Sequence, residues 1–216
     1  MALQGFATTE GTARYRERLS EQAAERHFRF EQGLWLSSVG VGTYLGDPSE
    51  EADRGYAAAI ARAVELGANV LDTAANYRFQ RSERSVGAAL GELVTGGRAA
   101  RDEVVVCTKG GYIPFDGQPP RGREGARAYV EETFVRTGVA TFDDIVGGSH
   151  CMTPRYLAHQ LAQSLRNMNL EAVDVYYVHN PESQLAHVSR EEFDRRLRAA
   201  FGQLEAERAG GRLLPL

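Results

Sequence analysis

Residues 69–87 read NVLDTAANYRFQRSERSVG, and this stretch decides the fold that the sequence predicts. Its opening apolar run ends on the carboxylate of Asp72, and Tyr77 follows five residues later. Because a buried strand of a parallel sheet is apolar along its length, an acid at its last position indicates that the strand's carboxyl end opens onto a pocket. Ser82 and Glu83 are expected to begin a helix, since apolar residues then recur at helical spacing. The stretch therefore predicts one strand–loop–helix unit with two polar side chains at its open end.

Length and composition restrict the class of protein. The chain has 216 residues, of which 43% are hydrophobic and 25% charged, and its net charge is −4. This composition favours a single globular domain and provides no basic field for nucleic acid or an anionic membrane. Cys107 and Cys151 form neither a disulfide framework nor a paired metal-binding spacing, and the sequence contains neither a signal peptide nor an apolar run of membrane length. We therefore expect a soluble cytoplasmic protein with no metal, no nucleic-acid partner and no membrane partner.

The first part of the chain is interpreted as an accessory segment, residues 1–27. Thr9 or Thr12 is expected to cap a polar helix that runs to about Ala24. The next stretch, FRFEQGLWLSS, predicts a hairpin that turns about residues 32–33.

Strands and helices alternate after the hairpin, which predicts a parallel sheet with helices packed on it. The predicted strands are residues 39–44, 70–72, 103–109 and 172–178. Asp47 or Ser49 is expected to cap the helix after the first strand. A later helix is expected to begin at Pro154, and the last from about Arg190 to Arg208.

A segment rich in glycine and proline interrupts this alternation at residues 110–153. One helix, from about Ala126 to Arg136, is expected within it and no regular strand. Irregular insertions of this length are commonly lids or binding loops. Its aromatic side chains therefore either line an apolar pocket or pack within the insertion.

Three consecutive strands end on a polar residue: Asp72, Lys109 and His179. Parallel strands place their carboxyl ends at one edge of the sheet, and Tyr77 follows the first of these ends closely. Each residue alone has an ordinary structural interpretation, as a turn acid, a solvated strand end, a core histidine or a packed loop aromatic. Together they favour a catalytic face, with Tyr77 and Lys109 at or near hydrogen-bonding distance.

The four side chains form a coherent proton-transfer device. A free phenol has a pKa of about 10, so Tyr77 needs a neighbouring cation to act as an acid near neutral pH. Lys109 supplies that charge, and Asp72 offsets the cost of burying it. His179 is expected to hydrogen-bond a substrate oxygen and orient a carbonyl group. No side chain supplies a hydride, so the sequence implies a nicotinamide cofactor.

These residues resemble the aldo-keto reductase family. The matching stretches are GANVLDTAANY at 67–77, CTKG at 107–110 and YYVHNPE at 176–182, within a resemblance that extends over about residues 33–212. The resemblance implies a TIM (β/α)8 barrel, the cofactor NADP(H) or, less often, NAD(H), and reversible reduction of aldehydes or ketones. It implies that Tyr77 is the proton donor, that Lys109 and Asp72 tune its acidity, and that His179 orients the substrate.

The resemblance also implies binding residues at the end of the first strand of the core. In the family this strand end lies beside cofactor and substrate. Gly42, Thr43 and Asp72 are therefore expected to contact the cofactor, and Tyr44 and His179 the substrate.

The chain departs from the family pattern in the number of its units. A barrel of this kind has eight strand–helix units and typically about 250 residues, whereas the sequence supplies about four units. We therefore expect an incomplete barrel at residues 28–216, truncated at its carboxyl end. A fifth strand is expected after Gly211, where Pro215 is a poor residue for a central strand.

An incomplete barrel leaves two functional classes open. One is an aldo-keto reductase whose sheet edge associates with another copy or with a completing second chain. The other is a noncatalytic half-barrel that acts as a binding or regulatory subunit or has no activity alone.

Overall fold

The amino-terminal helix is shorter than the sequence predicts. The computed structural model describes residues 2–214 of the chain, and its first helix, α1, is Thr9–Arg18. The hydroxyl of Thr8 caps α1 by accepting from the backbone N–H of Gly11, so the predicted caps are wrong by one and four residues. The predicted end at Ala24 is also wrong, because the backbone leaves the helix at Leu19, which packs into the core.

The predicted hairpin is confirmed. It consists of the antiparallel strands β1, Phe28–Glu31, and β2, Leu34–Ser37. Gln32 and Gly33 connect them with φ angles of 49° and 77°. Two positive φ angles are typical of the two-residue turn that matches the twist of antiparallel strands.

Four parallel strands form the central sheet, in the order β3-β4-β5-β6. They are β3, Gly40–Gly42; β4, Val70–Asp72; β5, Val105–Gly110; and β6, Val175–Val178. Asp72 lies between Gly42 and Cys107 in the register, and Lys109 lies beside Tyr177. The carboxyl ends of all four strands consequently lie along one edge of the sheet.

Helices pack on one face of the sheet and bury the main core. They are α2, Glu50–Glu65; α3, Arg81–Thr95; α5, Pro154–Met168; and α6, Arg190–Ala209. Ser49 caps α2, which selects between the two caps that the sequence allowed. Leu71, Leu90 and Leu161 are fully buried in this core, and α1 contributes Tyr15 to it. None of the helices in the described residues is long and apolar enough to cross a membrane.

Ser82 and Glu83 lie in the first turn of α3, close to the predicted start, but they face inward instead of capping the helix. The helix begins one residue earlier, at Arg81. The Ser82 hydroxyl donates to the carbonyl oxygen of Thr43, and the fully buried Glu83 carboxylate accepts from the Thr108 hydroxyl. Burial raises the pKa of the Glu83 carboxyl. These two side chains therefore join the first turn of α3 to the strands behind the site.

The insertion forms a small core of its own. Its helix α4, Gly122–Val130, continues into a wider turn at Glu131–Val135, so it begins four residues before the predicted start. The cluster around Val130 and Phe134 also receives Phe115 and Tyr129. Most of the insertion's aromatic side chains thus pack within it.

The end of the described chain lies beside β6. Leu213 forms a parallel bridge with Val173, which is the position expected for the next strand. Pro215 lies outside the described residues. Over residues 2–214 the parallel sheet is four-stranded and open.

Close contact between α3 and α5 requires a glycine at position 87. A Cβ there would lie 2.5 Å from the carbonyl oxygen of Met168, whereas a Cβ at Gly91, on the same helix, would meet nothing within 4 Å. We expect Gly87→Ala to lower the free energy of unfolding by about 1–3 kcal/mol through overpacking. The matched Gly91→Ala should raise it by up to about 1 kcal/mol, since alanine favours a helix. Urea denaturation measures both changes, and similar effects of the two substitutions would contradict this packing.

Candidate active site

The predicted catalytic residues line one cavity. A cavity of about 780 Å³ opens at the carboxyl edge of the parallel sheet, and Asp72, Tyr77, Lys109 and His179 all line it. Tyr44 stands at its rim and is 65% exposed. The strand order and register explain this convergence, because each residue is at or just beyond the end of a strand.

An ion pair joins the ends of β4 and β5. The Lys109 Nζ donates to Oδ2 of Asp72 at 2.7 Å and to the carbonyl oxygen of Thr73 at 2.8 Å. The Lys109 side chain is 14% exposed and that of Asp72 is 42% exposed. The two acceptors hold the ammonium group in place and compensate for its partial burial.

The ring of Tyr77 packs against three site residues. The Lys109 Nζ lies 4.7 Å from its centroid, in the geometry of a cation–π contact. The rings of Tyr44 and His179 meet it edge-on, at centroid distances of 5.0 and 5.7 Å. Within residues 2–214, the phenol of Tyr77 and the ammonium group of Lys109 are adjacent but share no hydrogen bond.

His179 is held in its neutral form. Burial is the main cause that lowers its pKa to about 4, and the positive charge of Lys109 lowers it further. Its backbone N–H donates to the carbonyl oxygen of Gly110 at 2.7 Å. Its Nδ1 is buried and has no hydrogen-bond partner in the described chain.

The insertion supports His179 through residues that the sequence analysis did not identify. The buried His150 accepts at Nδ1 from the side-chain amide of Gln184 at 2.9 Å. Its Nε2–H is then left to donate to the carbonyl oxygen of His179 at 2.8 Å. The ring of Tyr112 packs edge-on against both histidines, at 5.1 and 5.0 Å. The only sequence signal for this support is that a tyrosine and a histidine lie near the two ends of the insertion.

The expected cofactor-contacting residues differ in their exposure. Gly42 is exposed, and a Cβ placed on it would meet nothing within 4 Å. Thr43 is fully buried, and its hydroxyl donates to the carbonyl oxygen of Asp72 at 3.2 Å. The structure therefore brings Gly42 and Asp72 to the open edge, while Thr43 fixes the end of the strand from behind.

Other polar residues line the cavity without having been predicted. They are Asn76, Tyr177, Asn180 and Glu182. Within residues 2–214 no group of three or more His, Cys, Asp or Glu side chains is arranged to hold a metal ion.

The low pKa of His179 makes stability depend on pH. Its folded pKa of about 4 lies below the ordinary value of 6.5, so the unfolded chain takes up a proton first as the pH falls. The stability that neutral His179 contributes is therefore complete above about pH 6.5 and is lost as the pH falls toward about 4. We expect the free energy of unfolding in urea to fall less steeply over this range in His179→Gln than in the wild type. The exposed His187 serves as the control, and equal slopes in wild type and His179→Gln would contradict the assignment.

Comparison with known proteins identifies a family and relatives that this chain matches over part of their length. A model of the aldo/keto reductase family matches residues 38–212. An L-glyceraldehyde 3-phosphate reductase of Escherichia coli K12 is 28% identical over 163 residues, which cover 74% of this chain and 38% of that protein. An NADH-specific methylglyoxal reductase of the same strain is 27% identical over 151 residues, which cover 68% and 39%. The chain thus spans about two fifths of the length of these curated relatives.

Solved structures show the same fold. An aldo-keto reductase from Bacillus halodurans matches with a TM-score of 0.52 and 21% identity, over 86% of this chain and 47% of that one. A Bombyx mori aldo-keto reductase in complex with NADP matches with a TM-score of 0.53 and 19% identity, over 88% and 49%. At these identities the likeness concerns the fold alone.

Proposed function

The chain belongs to the aldo/keto reductase family, and we propose that it reduces aldehydes or ketones to alcohols with a hydride from NADPH or NADH. The observation that carries this proposal is the convergence of Asp72, Tyr77, Lys109 and His179 on one cavity. The family's members are oxidoreductases, and the four residues supply the proton half of a carbonyl reduction.

Tyr77 is the proposed proton donor. A phenol that gives up its proton leaves a phenolate, which the ammonium group of Lys109 beside the ring stabilises. Asp72 holds that ammonium group in place through their ion pair. Movement of the phenol toward the ammonium group would create a direct hydrogen bond that stabilises the phenolate.

His179 is the proposed substrate-orienting residue. Orphaned buried N–H groups are rarer than orphaned buried acceptors, so we assign the ring proton to Nε2 and leave Nδ1 as the unpaired acceptor. A neutral imidazole then donates one hydrogen bond from Nε2 to a carbonyl oxygen. Because its pKa is about 4, His179 keeps this role throughout the neutral pH range.

The cavity edge fits a nicotinamide cofactor. The open space at Gly42, the exposed carboxylate of Asp72 and the rim position of Tyr44 leave room for a flat ring beside the Tyr77 phenol. The bound cofactor supplies the hydride that no side chain provides. One relative is named for NADH and one solved structure contains NADP, so we propose NADP(H) or NAD(H) without a preference.

The charges of the cavity favour uncharged substrates. Lys109 is the one cationic side chain among the described lining residues, and Asp72 already neutralises it, while the exposed Glu182 adds a negative charge at the rim. A phosphate group would meet no free cation there. We therefore propose a small uncharged aldehyde or ketone as substrate, in contrast to the phosphorylated compound in the name of one relative.

Cofactor binding and turnover test the proposal together. Titration calorimetry should show saturable binding of NADPH or NADH, and cofactor absorbance should then decrease on addition of glyceraldehyde faster than on addition of glyceraldehyde 3-phosphate. Glu182→Gln should reduce the difference in rate between the two substrates, because it removes a negative charge at the rim. Saturable binding without turnover would support the alternative, a noncatalytic half-barrel that serves as a binding or regulatory subunit. An absence of binding at millimolar cofactor would contradict the proposed reductase and would likewise support this alternative.

We further propose that the chain associates with itself or with a second chain that completes the sheet. In the described residues, β3 pairs only with β4, and β6 pairs only with β5 apart from the bridge at Leu213. Val39 and Tyr177 are exposed beside these edges. Free strand edges with exposed apolar side chains promote association. We expect sedimentation to show oligomers at tens of micromolar, and a dispersed monomer would contradict this expectation.

A further inference from the structure

The turn that follows Tyr77 has a costly backbone conformation. Arg78, Phe79 and Gln80 have φ angles of 46°, 58° and 69°. Residues that carry a Cβ rarely adopt the left-handed backbone region, because the Cβ then approaches the carbonyl oxygen. Here three residues other than glycine adopt it in succession. Such a turn persists only where its surroundings hold it.

The guanidinium group of Arg78 ties this turn to the segment between β3 and α2 and to the first turn of α2. Its side chain is 1% exposed. Nη2 donates to Oδ1 of Asp53 at 2.6 Å, and Nε and Nη2 donate to the carbonyl oxygen of Asp47 at 3.1 and 2.9 Å. The guanidinium carbon lies 5.0 Å from the centroid of the Tyr56 ring. Arg78 thus makes a buried, charge-assisted contact from this turn to Asp53 in the first turn of α2.

Two further contacts close the turn from either side. Arg81 donates to the second carboxylate oxygen of Asp53 at 2.5 Å, so one acid binds two arginines. On the other side, the N–H of Gly117 donates to the carbonyl oxygen of Phe79 at 2.9 Å. The buried Gln80 also anchors the run through neutral hydrogen bonds with Phe115 and Asn167, so Arg78 is distinguished by its charge and its near-complete burial.

The segment between β3 and α2, which Arg78 contacts at Asp47, also carries Tyr44, a residue that lines the cavity. Tyr44 lies three residues before Asp47 and packs edge-on against Tyr77 at 5.0 Å. Holding the turn to Asp47 and Asp53 therefore fixes the two tyrosines relative to one another. Arg78 itself is not among the residues that line the cavity.

We propose that Arg78 is a positioning residue. Its contacts with Asp47 and Asp53, called the clamp below, keep the left-handed turn from relaxing and thereby hold Tyr77 in place. The effect on catalysis rests on the proposed function, in which Tyr77 donates the proton, but the effect on the turn does not. Loss of the clamp lets the turn relax and displaces the phenol. Because displacement by about 1 Å can cost on the order of a hundredfold in rate, we expect kcat to fall about ten- to a hundredfold while the KM for the cofactor is unchanged.

A matched pair of substitutions separates the clamp from the strain. Arg78→Ala and Arg78→Gly both remove the guanidinium group, and they differ only in the Cβ that makes the left-handed backbone costly. We expect Arg78→Gly to lose less of kcat than Arg78→Ala. The control is Arg84→Ala on the following helix, α3, which removes an exposed ion pair with Asp116 and should behave as the wild type.

Limited proteolysis with chymotrypsin gives a readout that does not depend on activity. Cleavage after Tyr77 and Phe79, mapped by mass spectrometry, should be faster in both Arg78 variants than in wild type and in Arg84→Ala. Wild-type cleavage rates in the Arg78 variants would overturn the clamp, as would equal acceleration in Arg84→Ala. Equal losses of kcat in the alanine and glycine variants would overturn the claim that the clamp acts against strain.

The remaining outcomes also separate the two proposals. A wild-type protein without carbonyl reduction, but with faster cleavage in the Arg78 variants, would refute the proposed function and support the clamp. Should Arg78→Ala fail to yield folded protein, Arg78→Gly decides, because wild-type cleavage and kcat in that variant would overturn the proposal.

Discussion

Tyr77→Phe should lower kcat for aldehyde reduction by about 10²–10⁴-fold, the usual contribution of a general acid. The substitution removes one oxygen and keeps the ring that packs against Tyr44, Lys109 and His179. The structure around the cavity should therefore persist. Because the proposed role of the phenol is to act on the substrate, the dissociation constant of NADPH should remain nearly unchanged.

The matched control for Tyr77→Phe is Tyr112→Phe. Tyr112 also lines the cavity, but its ring packs between His150 and His179. Loss of its hydroxyl should have a small effect on kcat. Cofactor absorbance and titration calorimetry measure the rate and the affinity. Nearly full activity in Tyr77→Phe would show that another group donates the proton.

Lys109→Met should lower kcat by about 10²–10³-fold, the effect of removing one charged group that stabilises a transition state. Without the ammonium group, the phenolate that proton donation would leave on Tyr77 has no neighbouring positive charge to stabilise it, so proton donation becomes unfavourable. Steady-state kinetics measure the change. A kcat close to that of the wild type would contradict a role for Lys109 in stabilising the phenolate.

The stability of Lys109→Met separates catalysis from structure. The Asp72 side chain that loses its partner is 42% exposed, so water replaces the ion pair at a cost of about 1 kcal/mol or less. We expect urea denaturation to show little change although activity falls. Asp72→Asn and the double variant complete a mutant cycle, and independent effects of the two substitutions on kcat would contradict a coupled pair.

The strand ends could be predicted from sequence because their arrangement follows from topology. Parallel strands place Asp72, Lys109 and His179 at one edge whatever the details of packing. Apolar runs that end on a polar residue were a sufficient signal, and the structure brings these residues into one cavity.

The helix-capping rule failed at the start of α3, where tertiary contacts determine which way the side chains face. Ser82 and Glu83 have the pattern of a helix start, but they face inward toward Thr43 and Thr108. A capping rule considers only neighbours along the chain, whereas these partners lie just beyond β3 and within β5.

Two supports of the site had no usable sequence signal. His150 contacts the carbonyl oxygen of His179 across 29 positions of the chain, and Arg78 contacts Asp53 across 25. The left-handed turn after Tyr77 was equally hidden, since none of its residues is glycine. Long-range contacts that compensate for local cost become visible only in three dimensions.

Hydride transfer to a carbonyl carbon is the most direct measurement of the central claim, that Tyr77 and its neighbours carry out carbonyl reduction. NADPH and NADH, each deuterated at its transferable position, are incubated in turn with glyceraldehyde and either wild type or Tyr77→Phe, and the glycerol formed is analysed by mass spectrometry. We predict one deuterium in the product of the wild type and about 10²–10⁴-fold slower product formation in Tyr77→Phe. Unlabelled glycerol, no glycerol, or equal rates in the two proteins would contradict the claim.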